Sequence, residues 1–133
     1  MKFKILFTII LFIFASLGSA DELRNAVNSK DRSEKNIVRD EFRKPYETLS
    51  FFQLEPNMTI VELSPGGGGY TEILANFVRK SGSLIAAHFS KDSDRAYFRN
   101  SRINFEKKVK ENNLYEKVTV VDLNSELSDP SSV

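Results

Sequence analysis

The sequence contains no cysteine, no tryptophan and a single histidine, His88, among its 133 residues. Without cysteine the chain can form no disulfide, no thiolate metal site and no lipid-modified cysteine at a cleavage site. Since the one histidine stands apart from any cluster of His and Glu, the sequence has no metal signature, and we predict no metal ion. The lack of cysteine suits an oxidising compartment without demonstrating one.

The sequence also lacks an excess of charge of one sign, because 19 Lys and Arg residues balance 18 Asp and Glu residues. A near-neutral chain creates no long-range field that would gather nucleic acid or an anionic membrane. We therefore expect no nucleic-acid partner.

Long apolar runs are absent except for Ile5 to Leu17, which follows Lys2 and Lys4 and precedes the small residues Gly18-Ser19-Ala20. This pattern predicts a signal peptide over residues 1–20, cleaved after Ala20, and hence a periplasmic or secreted protein. Because the run is shorter than the roughly 20 residues of a membrane span, we expect no stable span after cleavage. A retained N-terminal anchor or a buried core helix are the alternatives.

The rest of the chain divides into a polar stretch and one small domain. Residues 21–32 carry few apolar side chains and predict a flexible leader, and residues 33–133 suffice for one domain only. Ser33 is a plausible N-cap for a first short helix, and Pro45 fits the first turn of a second. The second helix carries Phe51 and Phe52, which we expect in the core.

Three short apolar runs, each separated by a helical pattern, predict parallel strands: Thr59–Leu63, Ser83–Ala87 and Val118–Val121. Between the first two, apolar residues at helical spacing predict one buried helix face: Tyr70, Ile73, Leu74, Phe77 and Val78. The predicted fold is α/β, the N-terminal half of a doubly wound Rossmann-like sheet with flanking helices, preceded by two short helices. Three strands leave an open edge, so we expect a chain truncated after the third strand. A minimal domain completed by self-association is the alternative.

The first predicted strand leads into a glycine loop, Ser64-Pro65-Gly66-Gly67-Gly68-Gly69. Glycines allow a sharp turn and let a ligand lie against the backbone at a helix N-terminus. A phosphate-binding P-loop would end in Gly-Lys-Ser/Thr, and this loop has no lysine. A dinucleotide site has a third glycine where this chain has Thr71, which weakens that reading without excluding it.

With Glu62 ending the strand, the pattern resembles class I S-adenosylmethionine-dependent methyltransferases, whose first motif is an acidic residue followed by G-x-G-x-G. Ser64 replaces the first of those glycines. The segment Arg39 to Phe52, together with Val61 to Gly68 and Tyr70 to Leu74, resembles a group of exported bacterial predicted methyltransferases. The resemblance covers Ser33 to about Leu123.

The resemblance implies S-adenosylmethionine as the cofactor and assigns roles to particular residues. Gly66, Gly67 and Gly68 would lie under its methionine part, and Glu62 would hold the loop or reach its amino group. The implied cofactor-binding set is Glu62, Ser64, Gly66, Gly67, Gly68, Tyr70 and Asp122, with Asp122 near adenine. It implies no catalytic residue within this stretch, and the methyl acceptor and oligomeric state stay unknown.

Each of these residues also has a structural interpretation that stays open. Glu62 could cap backbone amides, Tyr70 could belong to the core, and Asp122 could be a turn residue. We expect His88 to be a surface residue at a strand end rather than a catalytic base. Arg39 and Arg43 are expected on a solvated helix face, and Glu106 to Glu111 on an exposed one.

Three functions are therefore considered. The first is an exported S-adenosylmethionine-dependent methyltransferase, or a cofactor-binding fragment of one that lacks activity alone. The second is a non-catalytic exported binding protein for a nucleoside-like ligand. The third is a nicotinamide-dependent oxidoreductase half-domain.

Overall fold

The three short apolar runs form the strands of one sheet: β1 (Thr59–Leu63), β2 (Ser83–His88) and β3 (Val118–Asp122). In the computed structural model, which describes residues 18–123, the strand order is β1-β2-β3 and both pairs are parallel. Val61 pairs with Ile85, which in turn pairs with Thr119. The predicted α/β, Rossmann-like arrangement of three parallel strands with flanking helices is confirmed.

Helices precede and connect the strands. Residues 18–27 are helical (α1), and the remaining helices are α2 (Glu34–Ile37), α3 (Asp40–Arg43), α4 (Pro45–Phe51), α5 (Gly69–Val78) and α6 (Ala96–Lys110). A 3-10 turn, Asn113–Tyr115, leads into β3. Pro45 occupies the first turn of α4, as predicted, because its missing N–H would have no helical acceptor there. α6 begins at Ala96, with Arg95 as its N-cap.

The core lies where α5 packs on the central strand β2. Leu84, Ala86 and Ala87 of β2 are fully buried. The predicted apolar face of α5 is confirmed, since Ile73, Leu74, Phe77 and Val78 are buried and Tyr70 is partly buried against them. Burying a large aliphatic or aromatic side chain contributes about 1.5 to 3 kcal/mol, so this contact dominates the stability of the domain.

Residues 21–32 differ from the flexible leader predicted for them. Residues 18–27 are helical across the predicted cleavage point, and Leu23 and Ala26 are buried in the core. Arg32 donates to both carboxylate oxygens of Asp40 at 2.6 and 2.8 Å, which ties the following turn to α3. Residues 1–17 of the predicted signal peptide lie outside the described residues. Within residues 18–123, no helix is long and apolar enough to cross a membrane.

Phe51 and Phe52, at the C-terminal end of α4, are not in the core, so that prediction is wrong. Phe51 and Phe52 are 81% and 62% exposed, and Phe42 of α3 is 82% exposed. The helical stripe is broken because Lys44 adopts φ 47°, which ends α3 and redirects the chain into α4. Within the described residues, β1 pairs only with β2. No further strand lies beyond β1 there against which these aromatic side chains could pack.

Candidate functional site

The glycine loop connects β1 to α5 at the carboxyl end of the sheet. Gly66 and Gly68 adopt φ of 57° and 79°, a region where a side chain is strained, and Gly68 is the N-cap of α5. Ser64 also has positive φ, at 53°. The serine therefore takes the left-handed conformation at the position where the resembling family has its first glycine, and its N–H donates to the Ala87 carbonyl at 2.8 Å.

Glu62, near the end of β1, links the strand to the start of α5. The Thr71 hydroxyl donates to its carboxyl group at 2.6 Å. Burial raises the pKa of Glu62 from 4.5 to about 7, although hydrogen bonds from Thr71 and the nearby charge of Lys108 act in the opposite direction. This contact fits the capping interpretation, and Glu62 also lines the groove in front of the loop.

His88 is fully buried, so the prediction of a surface position is wrong. The Phe89 N–H donates to its Nδ1 at 2.8 Å, which leaves the ring proton on Nε2 to be donated to the Gly66 carbonyl at 3.2 Å. The imidazole packs 5.0 Å from the Phe105 ring, and burial lowers its pKa. A neutral histidine thus holds the loop from the end of β2.

Lys108 holds the next carbonyls of the loop. Its ammonium group donates to Gly67 O at 3.1 Å and Gly68 O at 3.5 Å, and forms an ion pair with Glu72 at 2.5 Å. Glu72 is 1% exposed and also accepts from the N–H and hydroxyl of Ser33, at 3.1 and 2.8 Å. Burial acts to raise the pKa of Glu72, but the bonds from Lys108 and Ser33 outweigh it and lower the pKa. The prediction that Lys108 lies on an exposed face is therefore wrong. Ser33 is the N-cap of α2, as predicted, but its hydroxyl donates to Glu72 and makes no capping bond.

The opposite side of the loop faces an open groove of about 640 Å³. A Cβ atom added to Gly66 or Gly67 would meet nothing within 4 Å. Besides the loop, the groove is lined by the edge of β1, by Tyr70 and by residues of the α2–α4 region that include Asn36, Arg39, Arg43, Thr48 and Phe52. Tyr70 fits both interpretations given to it, as a core residue and as part of the binding site, because it packs against the core and also lines this groove.

Asp122, at the end of β3, lies away from this groove. Arg102, which is buried, donates to its carboxylate at 2.8 Å and also to the carbonyls of Phe89 and Val121, both at 3.1 Å. A separate depression of about 570 Å³ at the ends of β2 and β3 includes Phe89, Asp92 and Leu123. The structure thus brings four of the predicted residues, Glu62, Ser64, Gly67 and Tyr70, to one groove, whereas Gly66, Gly68 and Asp122 do not line it.

Sequence reasoning missed four residues that shape the loop: Thr71, Glu72, His88 and Lys108. Thr71 and Glu72 belong to the quoted motif, so their presence directly after the glycines was a usable signal. Lys108 was hidden in a charged run, although it lies three residues after the buried Phe105 and hence on the same side of α6. No pattern in the sequence placed His88 beneath Gly66.

Comparison of the chain with protein-family models, curated proteins and solved structures finds no match to any of them. The chemistry of the site therefore has to be argued from its geometry. A loop that is held on one side and borders an open groove on the other can hold a ligand against the backbone of Gly67. The adjacent carboxyl group of Glu62 offers such a ligand a hydrogen-bonding partner.

Proposed function

We propose that the glycine loop binds S-adenosylmethionine and that the chain is the cofactor-binding part of an exported methyltransferase. One observation carries the proposal: an acidic residue at the end of the first parallel strand is held beside a glycine loop whose front is open. The space above Gly66 and Gly67, which a side chain would fill, suits a ligand lying on the backbone.

Different residues of the chain would contact different parts of the cofactor. Gly66 and Gly67 would lie under the methionine part, and Glu62 would accept a hydrogen bond from its amino group. The first turn of α5 adds N–H groups that have no intrahelical acceptor. The bound cofactor would supply an electrophilic methyl group, while the chain would contribute orientation and an apolar wall that excludes water.

Several observations of the structure support the fit. Glu62 belongs to the groove lining, so its carboxyl group is within reach of a ligand there. The raised pKa of Glu62, about 7, leaves that carboxyl group ready to ionise near a cationic amine. The rear bonds from His88 and Lys108 fix the loop before a ligand arrives, which reduces the ordering cost of binding.

Isothermal titration of the protein with S-adenosylhomocysteine, S-adenosylmethionine and NAD tests the proposal. We expect the two S-adenosyl compounds to bind, Gly67→Val to abolish their binding and Glu62→Ala to weaken it. Because a Cβ on Gly67 meets open space, Gly67→Val should keep the wild-type unfolding midpoint, which separates lost binding from lost structure.

Two results would contradict the proposal. Failure of a folded wild-type protein to bind either S-adenosyl compound would remove it. Tight binding of NAD instead would favour the nicotinamide-dependent alternative. Binding without methyl transfer to any extract would leave the cofactor assignment intact and point to the non-catalytic alternative.

A further inference from the structure

Two arginines line the groove without a partner. Neither Arg39 nor Arg43 has an ion pair, or a hydrogen bond from its guanidinium group, with any residue in the described range 18–123. They stand four positions apart, at the N-cap and in the last turn of α3, so they share a side of that turn. Arg43 lies against the loop, since its Nη1 would be 2.5 Å from a Cβ atom on Gly69.

The two buried arginines of the described residues, Arg32 and Arg102, are paired with carboxylates. Arg32 is met by the carboxylate of Asp40, and Arg102 by those of Asp122 and Glu106. Burying a guanidinium group normally requires such a partner. Arg39 is exposed and Arg43 is half-buried, and neither forms an ion pair with a described residue, so the two place unpaired positive charge along one wall of the groove.

The one acidic residue that lines the groove does not neutralise this pair. Glu62 is engaged by the hydroxyl of Thr71 and forms no ion pair with either arginine. The remaining walls are largely apolar, and Phe52, Val61 and Leu63 are all more than two-fifths exposed along them. A volume of about 640 Å³ falls within the range of small-molecule sites.

We propose that this groove binds a small amphipathic anion, a carboxylate or phosphate head on an apolar body. Arg39 and Arg43 take the head, because planar guanidinium groups match both kinds of anion with paired N–H bonds. The apolar body lies along Phe52 and the exposed edge of β1. This site shares its groove with the proposed cofactor, but anion binding does not require the loop glycines, so the two proposals can fail separately.

Three probes of similar size separate the contributions: 4-phenylbutyrate, phenyl phosphate and the neutral 4-phenylbutanol, each titrated into the cofactor-free protein. We expect one or both anions to bind about tenfold or more tightly than the alcohol, as charged hydrogen bonds predict. A preference between the two anions identifies the head group as carboxylate or phosphate.

Substitutions then assign the charge preference to the arginines. Arg43→Gln should weaken anion binding about tenfold and leave the alcohol unaffected, and the double variant with Arg39→Gln should remove the preference. Arg43→Lys keeps the positive charge and should retain part of the preference for the anions. Arg79→Gln is the matched control, because Arg79 is exposed at the C-cap of α5 and does not line the groove.

The proposal is overturned if the alcohol binds as well as the anions, or if neither anion binds to the folded protein. It is equally overturned if the double variant keeps the full preference. Unfolding curves of each variant show whether a loss of binding reflects a loss of structure. If Arg43→Gln does not fold, the affinity of Arg43→Lys for the anions, compared with that of the wild type, tests the role of the guanidinium group instead.

Discussion

The two sides of the glycine loop are built in opposite ways. On the rear side, His88 and Lys108 donate to the carbonyls of Gly66 and Gly67, and the Phe105 ring would lie 3.1 Å from a Cβ on Gly68. On the front side, Gly67 lines the groove, and a Cβ atom added to it would meet nothing within 4 Å, whereas Gly66 borders a separate depression of about 670 Å³ beside Lys108. The rear therefore specifies the shape of the loop, and the front is left for a ligand. Substitutions at the rear should change stability, and those at the front should change binding.

The largest effect is expected from Glu72→Ala, at the centre of the rear network. The substitution removes the ion-pair partner of Lys108 and the acceptor of the Ser33 N–H and hydroxyl in a buried position. Removing one partner of a buried ion pair typically costs about 3 to 5 kcal/mol, because the other charge is left uncompensated. Urea unfolding should show a loss of this size.

A matched acidic substitution checks that the loss comes from burial. Glu111, at the C-terminal end of α6, forms an exposed ion pair with Lys107 at 3.9 Å. Glu111→Ala should change the free energy of unfolding by less than about 0.5 kcal/mol. Equal losses in the two variants would show that the rear network does not anchor the loop.

The next effect concerns the pH dependence that Glu62 gives to stability. Its folded-state pKa is raised from 4.5 to about 7, so folding takes up a proton between these pH values. The free energy of unfolding therefore falls as pH rises through this window, by about 2 to 3 kcal/mol in total. Thermal or urea unfolding from pH 4.5 to 8 measures this slope.

Glu62→Gln provides the control, because glutamine cannot titrate and can still accept from Thr71. His88 has a lowered pKa, so it makes stability rise with pH up to about its ordinary value of 6.5, opposite to Glu62. The difference between wild type and variant cancels that contribution. Parallel curves for the two proteins would mean that the pKa of Glu62 is the same in the folded and unfolded states.

Most of the fold followed from local patterns in the sequence. The short apolar runs predicted all three strands, because the strands of a parallel sheet are covered on both faces and are largely apolar. The spacing of Ile73, Leu74, Phe77 and Val78 predicted the buried face of α5, and the glycines predicted the turn into it. These signals lie within a few residues of the structure that they specify.

The predictions that were wrong concern features that depend on long-range packing. The exposure of Phe51 and Phe52 depends on what the outer edge of β1 pairs with, which no local pattern shows. The burial of His88 and the reach of Lys108 to the loop depend on where α6 crosses the end of β2, 40 residues from the glycines. For the same reason the front of the loop was more predictable than its rear.

The smallest expected effect comes from comparing the same substitution at two neighbouring glycines with different surroundings. Gly68→Ala places a side chain at φ 79° and a Cβ 3.1 Å from Phe105, so a loss of about 2 kcal/mol in unfolding free energy is expected. Gly67 has no positive φ, and its Cβ would meet open space. Gly67→Ala should therefore change stability by less than about 0.5 kcal/mol.

These two variants decide whether the rear and front really differ, because the chemical change is the same methyl group. Unfolding curves measured in the same buffer should separate them by more than about 1 kcal/mol. If Gly67→Ala were as destabilising as Gly68→Ala, the front would be packed rather than open, and a ligand could not lie on its backbone. If neither variant lost stability, the left-handed turn at Gly68 would not be fixed by its contact with α6.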